Sequence, residues 1–212
     1  MIKAILFDFD GTLANSLPVQ LEKYVVALKA CKIALPDKEI VQSCFGVTLA
    51  DSCKHLGITN RCKQFSCAYL QASKQLTPTI KLFEDTLPTL SLLHGKYKLG
   101  IVTFAHYEYV HKLLSLHGLY KFFDGIVCQE DVKQPKPHPE GVYMLCNKLG
   151  VDTSETMIVG DSPSDLQMAQ AAGGISVLMH PPEYKRFYDL DELKKGCPKY
   201  TIQSLNDLFT IV

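Results

Sequence analysis

The sequence has no excess of charge of either sign: 22 Lys and Arg are matched by 22 Asp and Glu. Like-charged basic residues run no further than pairs such as Lys185-Arg186 and Lys194-Lys195. A surface that holds nucleic acid or an anionic membrane needs a basic field, so neither partner is expected. Long apolar runs are also missing, and nothing approaches the roughly 18 residues of a membrane-crossing helix. The opening MIKAILFDFDG has one lysine and a short apolar stretch broken by Asp8. That is too brief for a signal-peptide core, and a cytoplasmic chain is expected. The eight cysteines include no CxxC pair. Cys31, Cys44, Cys53, Cys62 and Cys67, with His55 nearby, are read as reduced, buried small side chains rather than zinc ligands. Internal repeats and low-complexity tracts are absent as well.

What is present is an ordinary globular composition, 47% hydrophobic and 21% charged over 212 residues. This suffices for one large domain, or for a core with a modest second lobe. Five short runs rich in Ile and Val, at 3–7 (KAILF), 98–103 (KLGIVT), 125–128 (GIVC), 156–159 (TMIV) and 175–178 (ISVL), read as buried strands. Between the later ones lie amphipathic stretches ending near a glycine: TLPTLSLLHG, HYEYVHKLLSLHG, HPEGVYMLCNKLG and PSDLQMAQAAG. Alternating strands and helices predict an α/β fold, a doubly wound parallel sheet covered on both faces. Residues 16–85 break the rhythm. PVQLEKYVVALKACK, DKEIVQSCFG (opened by an Asp cap) and NRCKQFSCAYLQASKQL are helical in pattern. The expectation is a core domain of residues 1–15 and 86–212, with a helical domain, 16–85, inserted. In the tail, Pro181-Pro182 breaks the chain, DLDELKK predicts a short helix and TIQSLNDLF a final packing helix. His180 is read as structural.

In a parallel sheet, ligands gather at the carboxyl ends of the strands. After the first run comes Asp8-Phe9-Asp10-Gly11. The two carboxylates project the same way in an extended segment, and Gly11 permits a sharp turn. DFDG by itself admits two readings, a turn whose aspartates satisfy backbone donors or a site. After TMIV comes GDSPSD, where Ser162, Pro163 and Asp165 suit helix initiation as cap, first turn and N3. Asp161 precedes the cap and is left unexplained by it. Thr103 closes another strand, and Lys136 lies between Pro135 and Pro137, which fix the backbone direction and so aim the side chain. If Asp8, Asp10, Asp161 and Asp165 share one crevice, each pair about 4 Å apart repels by about 4 kcal/mol at an effective dielectric near 20. Such a cluster requires cations, and a hard divalent ion such as Mg²⁺ suits all-oxygen donors. Lys136 adds positive charge, and Thr103 with nearby N–H groups can donate to phosphate.

Four segments in order, DFDGTL, Thr103, Lys136 within KPHP and GDSPSD, each at the end of an expected strand, resemble the motifs of the haloacid dehalogenase superfamily. The likeness spans nearly the whole chain. The helical insertion is similar to the type-one cap of its phosphoglycolate phosphatase and β-phosphoglucomutase branch. The resemblance implies that Asp8 is a nucleophile and Asp10 a general acid and base. It implies that Thr103, the following Phe104 and Lys136 bind the substrate. Magnesium would be held by Asp8, the Asp10 backbone carbonyl and Asp161, with Asp165 close by through water. An Asp at position 10 favours oxygen leaving groups over halide, since halide departs without a proton. The expected function is hydrolysis of a small phosphomonoester through an aspartyl-phosphate. The alternatives are a sugar-phosphate mutase, for which the cap contains Lys54, His55, Arg61 and Lys63, residues that read first as solvated helix faces, or a regulatory phosphate-binding module. The chain departs from the pattern at Phe104-Ala105, where relatives often carry Asn or Ser, and at Asn15-Ser16, where they often carry Asp-Ser. Both departures bear on specificity rather than on the reacting groups.

Overall fold

Four consecutive apolar residues, Ala4–Phe7, form β1, and all four are buried. A parallel strand with neighbours on both sides and helices on both faces has this character. The computed structural model describes residues 1–212. After β1 the chain passes through β2 (Ala14–Asn15), α1 (Leu17–Ala30), α2 (Asp37–Cys44), α3 (Leu49–His55), α4 (Cys62–Leu76) and β3 (Lys81–Leu82). Next come α5 (Thr86–Leu93), β4 (Lys98–Val102), α6 (Tyr107–Leu116) and β5 (Gly125–Val127). They are followed by α7 (Glu140–Leu149), β6 (Thr156–Gly160), α8 (Pro163–Ala171), β7 (Ile175–Met179), α9 (Leu190–Lys194) and β8 (Tyr200–Ile202). Two compact units result. The larger holds Met1–Asn15, Leu82–Lys185 and Asp189–Val212, the smaller Ser16–Lys81 and Arg186–Tyr188.

The larger unit is an α/β fold around a six-stranded sheet of order β5-β4-β1-β6-β7-β8, parallel at every pairing. From β1 the chain builds outward to β4 and β5, then returns to β6 on the other side. The switch in direction therefore falls at β1, between β4 and β6. Leu6, Val102, Val127, Leu145, Ile158 and Met168 belong to one core cluster. Each such side chain contributes about 1.5–3 kcal/mol of burial. Gly100 and Gly125 face each other in register, and a Cβ on either would stand 2.5 Å from Leu145. Their bare backbones let α7 lie close on the sheet.

The five expected strands are β1, β4, β5, β6 and β7. The sixth, β8, overturns part of the tail reading: TIQSLNDLF begins in an edge strand and ends in a 3-10 turn, Leu205–Thr210. Only Ile202 of that strand is buried, so it carries almost no apolar pattern, while Ser204 and Asp207 form a reciprocal cap that starts the turn. In the smaller unit α1 packs on α4, and the Tyr24 ring lies 4.7 Å from Tyr69, 5.8 Å from Phe45 and 6.3 Å from Phe65. Asp37 is not the cap of α2. Pro36 holds that position and Asp37 lies in the first turn, where its charge favours the helix dipole. Cys31, Cys44 and Cys53 are buried, but Cys62 is half-buried and Cys67 exposed, so burial describes three of these five. No helix is long and apolar enough to cross a membrane.

Candidate active site

The ladder between β1 and β6 continues one residue past the strand, where the Asp8 amide donates to Val159 O at 2.8 Å. This fixes the Asp8 backbone at the sheet's switch point. The chain then closes a tight loop, with Leu13 N and Ala14 N both donating to Phe9 O and Gly11 N to Ala14 O. Gly11 takes a φ of +81°, and a Cβ there would lie 2.5 Å from Asp161 Oδ2. Turn geometry and the approach of a carboxylate from β6 both require glycine. The Thr12 hydroxyl donates to Asp161 Oδ1 at 3.4 Å.

Asp165 divides its two oxygens between structure and site. Oδ2 accepts from the Ser162 amide at 3.1 Å and the Ser162 hydroxyl at 2.5 Å, forming one half of the capping box that starts α8. Oδ1 accepts from Lys136 Nζ at 2.6 Å, and the same ammonium lies 2.8 Å from Asp8 Oδ1. The Lys136 side chain is only 6% exposed. Its loop is anchored by Glu140, whose carboxylate accepts from the Lys133 and Gln134 amides. Gly160, just before Asp161, brings the β6 backbone so near α8 that a Cβ would stand 2.3 Å from Asp165 Cβ.

Asp8, Asp161 and Asp165 each present a carboxylate oxygen, and these three atoms lie within 4.8 Å of one another. Three carboxylates against one ammonium leave the cluster formally two charges negative. Burial, reinforced by the charges of Asp165 and Asp10 and opposed by Lys136, raises the Asp8 carboxyl from 3.8 to about 7. Burial and the neighbouring Asp165 and Asp8 push Asp161 well above the ordinary carboxylate value. Burial alone would lower the Lys136 ammonium, but its two carboxylate partners outweigh that and hold it above the ordinary lysine value. A hard, oxygen-seeking divalent cation fits this donor set, because all three donors are carboxylates and their charge is undercompensated.

Thr103 follows β4, and its amide donates to Val127 O at 3.0 Å. Its hydroxyl accepts from the Ala105 amide at 3.2 Å, and the side chain lines one recess with Lys136 and His138. Phe104, half-buried, is the next residue in that loop. Asp10 goes elsewhere than the carboxylate cluster: its Oδ1 accepts from the Tyr109 hydroxyl at 2.5 Å. Tyr109 is not singled out by the sequence, where HYEYVHKLLSLHG shows only the periodicity of an amphipathic helix. The pairing joins positions 99 residues apart, and helical periodicity carries no signal of it. His180 is buried, with no hydrogen-bond partner at Nε2.

The fold and site define a class: a parallel α/β core with buried carboxylates and one lysine ammonium gathered at the switch point of its sheet. A family model described as haloacid dehalogenase-like hydrolase matches residues 5–179, and the chain belongs to that family. Within it, the chain is an enzyme of the phosphatase kind. It is 30% identical to the pyrophosphatase PpaX of Halalkalibacterium halodurans over 100% of its own length and 97% of that protein's. A phosphoglycolate phosphatase from Shigella sonnei is 28% identical, over 98% of this chain and 91% of that one. Among solved structures, a putative haloacid dehalogenase-like hydrolase from Bacteroides fragilis superposes with a TM-score of 0.84. It is 28% identical, and the match covers 98% of this chain and 100% of that one.

Proposed function

We propose that this chain is a Mg²⁺-dependent phosphatase that hydrolyses a small phosphomonoester through an aspartyl-phosphate on Asp8. The observation that carries the reading is the meeting of Asp8, Asp161 and Asp165 around Lys136 at the sheet's switch point. Asp8, the Asp10 carbonyl and Asp161 would hold the cation, with Asp165 beside them. When bound, Mg²⁺ supplies positive charge that offsets the developing negative charge on the transferring phosphoryl group.

Lys136 and Thr103 bind phosphoryl oxygens, and the Lys136 ammonium favours the ionised, nucleophilic form of Asp8. An Asp8 carboxylate oxygen attacks phosphorus. As that O–P bond forms, the bond to the leaving oxygen breaks, and Asp10 gives its proton to that oxygen. Asp10, now a carboxylate, takes a proton from water as the water oxygen attacks the aspartyl-phosphate. Inorganic phosphate leaves and Asp8 is restored. A sugar-phosphate mutase shares the first half of this cycle and differs in the acceptor. The inserted helical residues, 16–85 in the sequence reading, serve as the cap. The relatives named pyrophosphatase and phosphoglycolate phosphatase make small phosphates that carry a second anionic group the first substrates to try.

The test is phosphate release by the purified chain from p-nitrophenyl phosphate, pyrophosphate and phosphoglycolate, before and after chelation. Turnover is expected to fall to background with chelator and to return with Mg²⁺. Turnover indifferent to chelation, or no phosphate release from any of the three by folded protein, would contradict the proposal.

A further inference from the structure

We propose that Tyr109 is a positioning residue for Asp10, holding its carboxyl in the orientation from which it passes protons. This rests on the proposed role of Asp10 as general acid and base and names the group that orients it. Tyr109 touches the Phe9-Asp10 dipeptide twice. Its hydroxyl donates to Asp10 Oδ1 at 2.5 Å, and its ring meets the Phe9 ring edge-on, with centroids 6.4 Å apart and planes at 89°. Phe9 is fully buried and the loop around it is closed by backbone hydrogen bonds, so the ring contact fixes the phenol relative to the Asp10 backbone.

With Oδ1 taken by the phenol, Oδ2 is the oxygen left to exchange a proton with the leaving group and with water. Rotation about the Asp10 side chain would break the Tyr109 bond, so Oδ2 is held in one direction through both halves of the cycle. Positioned proton transfer contributes on the order of a hundredfold or more to such reactions. A phenylalanine at 109 would fill the same edge-on slot against Phe9 and lack only the hydroxyl. The hydroxyl therefore serves Asp10, while the ring serves packing.

The experiment is Tyr109→Phe in the full chain, assayed on an alkyl and an aryl phosphomonoester, alone and combined with Asp10→Asn. Thermal melts confirm that each variant is folded. For the alkyl ester, whose leaving oxygen needs a proton, kcat is expected to fall roughly tenfold or more, with KM little changed. The pre-steady-state burst from p-nitrophenyl phosphate, whose leaving group departs without a proton, is expected to change by less than about twofold. In the Asp10→Asn background, Tyr109→Phe is expected to add less than about twofold, because its effect passes through Asp10. Equal losses on both esters, or a full additional loss in the Asp10→Asn background, would overturn the inference in favour of packing alone. A full-activity Tyr109→Phe beside an impaired Asp10→Asn would overturn it and leave the phosphatase reading standing. An active Asp10→Asn would remove its premise.

Discussion

Asp8→Asn is expected to lower phosphate release by at least about a thousandfold while leaving the fold intact, because an amide cannot attack phosphorus. The replacement keeps the volume of a side chain only 12% exposed, so no cavity forms. It also removes one of three crowded carboxylates. Metal-free Asp8→Asn is therefore expected to melt no lower than the parent, as happens where a reactive site holds groups that the fold would rather lose. The paired measurement is turnover with Mg²⁺ and thermal unfolding with chelator. Activity within tenfold of the parent would show that the nucleophile lies elsewhere. Lost activity with a collapsed melting transition would show that Asp8 serves the fold instead.

Lys136→Met is expected to have the largest effect on stability. Methionine retains much of the stem, but Asp8, Asp161 and Asp165 then lie close together without the ammonium that bridges two of them. Removing one partner of a buried ion pair costs about 3–5 kcal/mol. The pH dependence follows from Asp8, raised in the folded chain from 3.8 to about 7. Between those values the folded state binds the proton that the unfolded state has released. The contribution of Asp8 to metal-free stability therefore falls as pH rises from about 4 towards about 7, the reverse of a salt-bridged aspartate with a lowered pKa. In Lys136→Met the fall is expected to be steeper, since the charge that opposes protonation of Asp8 is gone. Denaturant unfolding with chelator at the two ends of this range measures it, and added Mg²⁺ is expected to restore part of the loss at the upper end. A variant equally stable at both ends, and indifferent to Mg²⁺, would mean that the carboxylates do not repel as described.

The parts of this molecule that sequence reveals are those governed by local physics. Ala4–Phe7 and Thr156–Gly160 are wholly buried strands, so their apolar runs stand out in the bare chain. Asp8 and Asp161 follow those two runs directly, and the rule that ligands gather at strand ends singles them out without coordinates. The Ser162-Pro163-x-Asp165 start of α8 is legible because a capping box is contained within four residues. Non-local pairings are not legible in this way. That one Asp165 oxygen caps a helix while the other holds Lys136, 29 residues away, leaves no trace in spacing. The bond from Tyr109 to Asp10 leaves none either, and Tyr109 fits a helical pattern equally well without it. β8 is illegible in the sequence for a different reason. A three-residue edge strand needs only one buried side chain, and the following Ser and Asp read as helix.

The most direct test is to quench the enzyme with acid during turnover and locate the covalent phosphoryl group by mass spectrometry. A phosphoryl group on Asp8, formed with Mg²⁺ and absent with chelator or in Asp8→Asn, is the expected result. A label on another side chain, or turnover with no covalent species at any quench time, would contradict nucleophilic attack by Asp8.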